Sequence, residues 1–104
     1  MKRPRLVLSD SAVADILEQA DWYRAQSGVV LEERWEKAVT TTLLRIVNNA
    51  SAGAPCSFYR EELRHVRRTA ISGFSKHLLF YKFDGTELFV LRVIHGARDL
   101  ESFL

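Results

Sequence analysis

Cysteine, proline, glycine and long apolar runs are all scarce in this chain. One Cys, two Pro and five Gly are spread over 104 residues. Cys56, alone, cannot close an internal disulfide, and no second thiol exists for a redox pair or a thiolate metal centre, which excludes a disulfide scaffold. A reducing cytoplasm is the expected compartment. No apolar stretch approaches the ~18 residues that cross a bilayer. In the basic N-terminal segment Leu6-Val7-Leu8 is the longest apolar run, too short for a signal-peptide core. Pro and Gly are too few for a disordered or collagen-like chain. There is also no Gly-rich phosphate loop and no Gly-x-Ser-x-Gly elbow. Conventional nucleotide-binding and hydrolase signatures are therefore missing, and no cofactor is expected.

What remains is an ordinary globular composition: 47% hydrophobic, 27% charged and 11% aromatic. A length near ~100 residues reads as a single domain, 1–104, with one core. The formal net charge of +2 hides an uneven distribution. Residues 1–52 hold seven Lys and Arg and seven Asp and Glu, and are neutral. From Arg64 to Arg98 there are seven basic residues against Asp84 and Glu87, a net +5, and His65, His77 and His95 lie in the same window. Such a segment suits an anionic partner, nucleic acid or an acidic protein segment, or else a solvated sheet face.

Residues 5–8 read as a short strand, because Ser9 and Asp10 follow at once as helix-capping residues. Val13, Ile16, Leu17, Ala20 and Tyr23 then recur at helical spacing, and Gly28 is a natural stop. A second helix is carried by Leu31, Trp35, Ala38, Val39, Thr42 and Ile46, ending near Asn48-Asn49. Residues 51–55 read as a loop after a helical hairpin. From Leu63 the chain turns to β-branched and aromatic residues, predicting strands at about 64–71, 76–83 and 87–95. Asp84-Gly85 marks a hairpin, since that turn needs positive φ. The last strand is apolar on both faces, as a strand buried on both sides would be, so its Arg92 needs an explanation. A short helix over 99–103 closes the chain. The fold class is α+β: a strand, a helical hairpin, then a three-stranded antiparallel sheet.

Alternation places Arg64, Val66 and Arg68 on one face and His65, Arg67 and Thr69 on the other. On the next strand Lys76, Leu78, Phe80 and Lys82 oppose His77, Leu79, Tyr81 and Phe83. On the last, Arg92 falls with Leu88 and Ile94, and His95 with Leu91 and Val93. RNA transesterification would need such a set: a base for the 2′-hydroxyl, cations for the phosphorane, and an acid for the leaving oxygen. The plainer reading is that Arg92 pairs with a carboxylate and His95 fills a strand end. The histidine spacings match no metal-finger or helical-pair pattern, so no metal site is expected. Cys56 reads as an inert thiol. The aromatics Phe74, Phe80, Tyr81, Phe83 and Phe89 read as core against the hairpin, and Trp22-Tyr23 and Trp35 as packing between the helices.

Taken together, Leu63-Arg64, the run from Gly73-Phe74-Ser75-Lys76-His77 to Tyr81, and Val93-Ile94-His95-Gly96-Ala97-Arg98-Asp99 resemble the RelE/ParE superfamily of bacterial type II toxins. Asp15-Ile16, Trp22-Tyr23 and Gly53-x-Pro55 fit as well, so the resemblance covers nearly the whole chain. It implies a cytoplasmic toxin neutralised by a cognate antitoxin. RelE-like members are ribosome-dependent mRNA endoribonucleases, whereas ParE-like members poison DNA gyrase and serve plasmid stabilisation. Several ribonuclease members carry a Tyr after the His or in the C-terminal tail; here Gly96 follows His95 and no Tyr follows Tyr81. Phe58-Tyr59-Arg60-Glu61-Glu62 replaces the Lys-rich stretch of RelE proteins, and Ser75 stands where Pro is frequent. The resemblance thus points to the ParE-like branch, a gyrase inhibitor with no catalytic residues. The alternatives are a ribonuclease using Arg64, Arg68, His95 and Arg98, and an inactive member that only pairs with antitoxin. Target- or antitoxin-binding candidates are Arg64, Arg67, Arg68, Lys76, His77, Arg92, His95 and Arg98. An acidic, amphipathic antitoxin segment is expected on an open sheet face beside the hairpin. An Arg98-Asp99 pair is expected to pin the tail to the sheet, and an exposed apolar patch to make the isolated chain less soluble than its complex.

Overall fold

The computed structural model describes residues 3–96 and 100–104. Strand β1 (Arg5–Leu8) leads into helices α1 (Asp10–Ser27) and α2 (Val29–Asn48); then come strands β2 (Ala54–Pro55), β3 (Arg67–Ile71), β4 (Phe74–Phe83) and β5 (Glu87–His95). Short 3-10 helices lie at Glu61–Leu63 and Leu100–Phe103. The α+β class and the order of elements are as the sequence predicts.

Ser9 does two things at the first junction. Its Oγ accepts the Ala12 N–H at 2.9 Å, capping α1, and donates to the Leu91 carbonyl at 2.6 Å. The start of α1 is thereby tied to β5. Gly28, at φ 85°, ends α1 and begins α2 in one residue, a left-handed conformation that glycine adopts without a Cβ clash. On α2 the expected stripe is the buried one: Trp35, Ala38, Val39, Thr42 and Ile46. On α1 the inward face is Ala12, Ile16, Ala20 and Tyr23, whereas Val13 and Leu17 are 42% and 59% exposed. Of the residues at helical spacing, Val13 and Leu17 therefore stay outside the core. Both lie off the narrow strip defined by the two alanines, whose small side chains let α1 sit close to its neighbours.

The sheet has five strands in the order β1-β5-β4-β3-β2, with β1 parallel to β5 and the other neighbours antiparallel. The predicted three-stranded core is β3-β4-β5, and β1 and β2 extend it at its two ends. Ala54-Pro55, expected as loop, pairs with Arg68 and Arg67. The predicted strand over 64–71 begins only at Arg67, because Glu61–Leu63 is a 3-10 turn and His65 holds φ 67°. Arg64 and Val66 hence do not alternate with Arg68 as strand neighbours. Asp84-Gly85 makes the predicted hairpin: Asp84 Oδ1 accepts the Thr86 and Glu87 N–H groups at 2.9 and 2.7 Å, and Gly85 takes φ 98°.

A bulge in β5 changes the predicted faces. Phe80 pairs with Arg92 but Tyr81 pairs with Val90, leaving Leu91 as the extra residue. Leu88, Val90 and Val93 thus all reach the core under the helices, with Trp35, Leu79 and Tyr81. Leu91 goes instead to the far face with Ile94, and Arg92 parts company with Leu88. That far face is not open, contrary to expectation. Leu63, Val66 and Phe80 are buried there beneath Cys56, Phe58 and Leu104. Among the aromatics read as core, Phe80 belongs to this second cluster, because β4 presents alternate side chains to two different covers, and Phe83, the last residue of β4, is 40% exposed.

Candidate functional site

Beyond Leu8, strand β1 no longer covers β5, and α1 leans over the free end of the β4-β5 pair. Between them runs a groove of about 710 Å³, lined by Glu18, Gln19, Trp22 and Tyr23 of α1, the Phe74–His77 end of β4, and His95. His77 and His95 are direct cross-strand partners and share a face, with ring centres 5.5 Å apart and planes nearly perpendicular. His77 is 9% exposed and His95 is exposed. The Tyr23 hydroxyl lies 3.0 Å from His77 Nε2. Trp35 and Phe74 complete an aromatic wall, the Trp35 ring 4.9 Å from His77 and 5.2 Å from Phe74. Trp35 is itself fixed by a bond from Nε1 to the Ile16 carbonyl at 3.0 Å.

Burial pushes the His77 imidazole below its usual range, and the neighbouring His95 pushes it the same way. Burial raises the Tyr23 phenol, partly offset by the Gln19 side chain. The groove thus holds a neutral, hydrogen-bonded imidazole beside a second imidazole that meets solvent. Such a pair can accept hydrogen bonds, exchange protons or ligate.

The predicted binding candidates divide into three groups. Lys76, His77 and His95 come together at the groove. Arg92 is structural: Nε and Nη2 grip the two Asp15 oxygens at 2.8 Å each, and Nη1 donates to the Phe103 carbonyl at 2.7 Å. Asp15 Oδ2 also accepts the Val93 N–H at 3.0 Å, so one carboxylate closes the uncovered edge of β5. That bonding holds Arg92 charged. The plainer reading of Arg92 is the correct one.

The third group lies towards β2 and β3. Arg67 donates to the Gly53 carbonyl at 2.7 Å and supports the loop. Arg64 pairs with Glu61 at 2.9 Å on the surface. Arg68, exposed, is paired in register with Phe80 and so stands on the far face. Arg98, and its proposed pairing with Asp99, lie outside the described residues. Burial raises the Cys56 thiol despite the charge of Arg68, which suits an inert thiol.

Among the described members of the candidate ribonuclease set, His95 stands on the helical face and Arg68 on the opposite one, so the two are not brought together. The sequence reading missed Glu18, Gln19, Trp22 and Tyr23 as groove residues. Their signal was present, since Glu18–Trp22 and Gln19–Tyr23 are both i,i+4 pairs on one helix. Trp22, read as interhelical packing, is 55% exposed at the groove, its ring meeting Tyr23 edge-on. Among the described residues, no group of three or more His, Cys, Asp or Glu is placed to hold a metal ion. No described helix is long and apolar enough to cross a membrane.

The family model for the ParE toxin of the parDE type II toxin–antitoxin system matches residues 6–100. Among solved structures, the chain is similar to one from the chromosomal ParDE toxin–antitoxin system of P. aeruginosa, with a TM-score of 0.74 at 17% identity. That alignment covers 91% of this chain and 98% of the other, and at this identity the likeness is one of fold. No curated protein matches.

Proposed function

Since the chain belongs to the ParE toxin family of type II toxin–antitoxin systems, we propose that it blocks replication by binding DNA gyrase and trapping the enzyme's cleaved-DNA complex. An antitoxin partner follows from the family. Its seat, in this reading, is the apolar surface beside the groove, reached by an amphipathic acidic segment drawn to the basic half of the chain. Trp22 of α1, 55% exposed, is an apolar side chain that the groove itself offers to it. Action in the cytoplasm and a role in plasmid stabilisation belong to the same proposal.

The observation that carries a binding toxin over a nuclease is the separation of the cations. Transesterification needs a base, a phosphate clamp and an acid within hydrogen-bond reach of one phosphodiester. Arg68 and His95 are kept apart by the sheet itself, and Arg64 is engaged by Glu61. With Arg67 and Arg92 spent on internal carbonyls and Asp15, and Arg64 on Glu61, the predicted cations left for a target among the described residues are Arg68 and Lys76.

A cleavage-complex assay tests this. Purified protein is mixed with gyrase, ATP and supercoiled plasmid, then treated with detergent and protease, and linear DNA is measured. A dose-dependent rise in linear DNA, abolished by antitoxin, is expected. Unchanged supercoiling with no linear DNA would reject the reading. Cleavage of mRNA on ribosomes would then establish the nuclease alternative, and silence in both assays an antitoxin-binding chain without toxicity.

A further inference from the structure

The β4-β5 end of the groove has a second property, separate from gyrase or antitoxin. We propose that His77 and His95 form a two-imidazole chelate for a borderline divalent transition ion of the Zn²⁺, Ni²⁺ or Cu²⁺ class. Two imidazoles sharing one tetrahedral ion at metal–nitrogen distances of ~2.0–2.1 Å hold their ring centres about 5 Å apart. The observed separation is 5.5 Å, between residues locked opposite each other by strand register. Little backbone movement is needed to bring both rings to one ion.

The surroundings supply what such a pair needs. Imidazole suits zinc, nickel and copper and discriminates against Mg²⁺ and Ca²⁺, which take oxygen ligands. A ligating histidine is ordinarily oriented through its other nitrogen by an outer partner, and Tyr23 already occupies Nε2 at 3.0 Å, leaving Nδ1 for an ion. The open side of the groove leaves room for water to complete the coordination. With only two imidazoles, the bound ion is exchangeable rather than structural. It would sit beside Trp22 and Trp35, where a paramagnetic ion such as Cu²⁺ or Ni²⁺ quenches indole emission.

The test is titration of tag-free full-length protein with Co²⁺ and Ni²⁺, read by visible absorption and tryptophan fluorescence, with Mg²⁺ as the control ion. Expected is a saturable change that Zn²⁺ displaces and Mg²⁺ does not reproduce. His95→Ala should abolish it; His95 is exposed, so folding is not at stake. Tyr23→Phe should weaken it by roughly tenfold or more through loss of the orienting hydroxyl. His65→Ala should leave it unchanged, since His65 precedes β3, away from the groove. Uptake by the wild type no greater than by His95→Ala would overturn the proposal. The readout contains no gyrase, so this outcome and that of the cleavage assay fail independently.

Discussion

The two faces of the sheet are buried to the same depth and covered in different ways. Trp35 and Leu79 under the helices, and Val66 and Phe80 on the far side, are all fully inaccessible. Over the first face lie two long helices. Over the second lie an irregular segment from Cys56 to Val66 and the last residues of the chain. Helices satisfy their own backbone, so apolar contact suffices to hold them. Irregular cover must find partners for its N–H and C=O groups, and finds them in charged side chains. Glu101 accepts the N–H groups of Tyr59 and Arg60, each at 2.9 Å, Lys82 reaches the Glu62 carbonyl at 2.8 Å, and Arg92 reaches that of Phe103. Similar burial therefore rests on packing on one side and on packing plus charge on the other.

The largest effect should come from the helical side. Trp35→Ala removes a fully buried indole, its bond to Ile16 and its contacts with Tyr23, Phe74 and His77. The expected cost is about 3–5 kcal/mol in urea or guanidinium unfolding, enough to unfold much of a marginal domain. Phe80→Ala should fall at the lower end of that range, because a loop can settle into the cavity where two helices cannot. Equal costs would show the irregular cover to be as rigid as the hairpin.

An intermediate effect belongs to a carboxylate that joins the two systems. Asp15 projects from α1, yet serves Arg92 and the Val93 N–H on β5, and the Asp15 and Arg92 side chains are only 11% and 24% exposed. Asp15→Ala strands a half-buried guanidinium and a strand N–H, at a cost of about 2–3 kcal/mol. Removing Arg92 as well should cost less than the two single changes summed, since the stranded charge disappears with it. Additive costs would mean that the pair is no more than a surface contact.

The same contrast explains what could be read in the sequence. The hairpin, its Gly28 joint, the Asp84-Gly85 turn and the core stripe of α2 follow from periodicity and from residues with special φ requirements. The far face followed poorly. Its cover is a 3-10 turn, a left-handed His65 and a tail, none of which has a period, and its inner row is displaced by the Leu91 bulge. A bulge inserts one residue without changing composition, so alternation alone misassigns every side chain beyond it. His95 is still grouped correctly with Val93, because both lie on the same side of the bulge, but not with Leu91. The groove was missed in its α1 wall for a related reason: spacing shows which residues share a helical face, not which neighbour that face meets.

The smallest effect is the most local. Glu101 is held below the usual carboxylate range first by the N–H groups of Tyr59 and Arg60 and then by the Arg60 charge. A carboxyl whose folded pKa is depressed contributes fully above its unfolded value, and the contribution disappears as pH falls through the folded value. Acidification below the ordinary glutamate range should therefore loosen the tail from residues 59–60 before the helical side responds. Asp84 is depressed as well, by the Glu87 and Thr86 N–H groups, so a global acid transition would mix the two carboxyls. Amide exchange resolves them, because faster exchange at Tyr59 and Arg60 reports Glu101, whereas that at Thr86 and Glu87 reports Asp84. In Glu101→Gln, which accepts hydrogen bonds without ionising, the acid step at Tyr59 and Arg60 should vanish while the one at Thr86 remains. A step at Tyr59 that survives the substitution would place the acid sensitivity of this seam in some other group, and with it the claim that charge secures the far face.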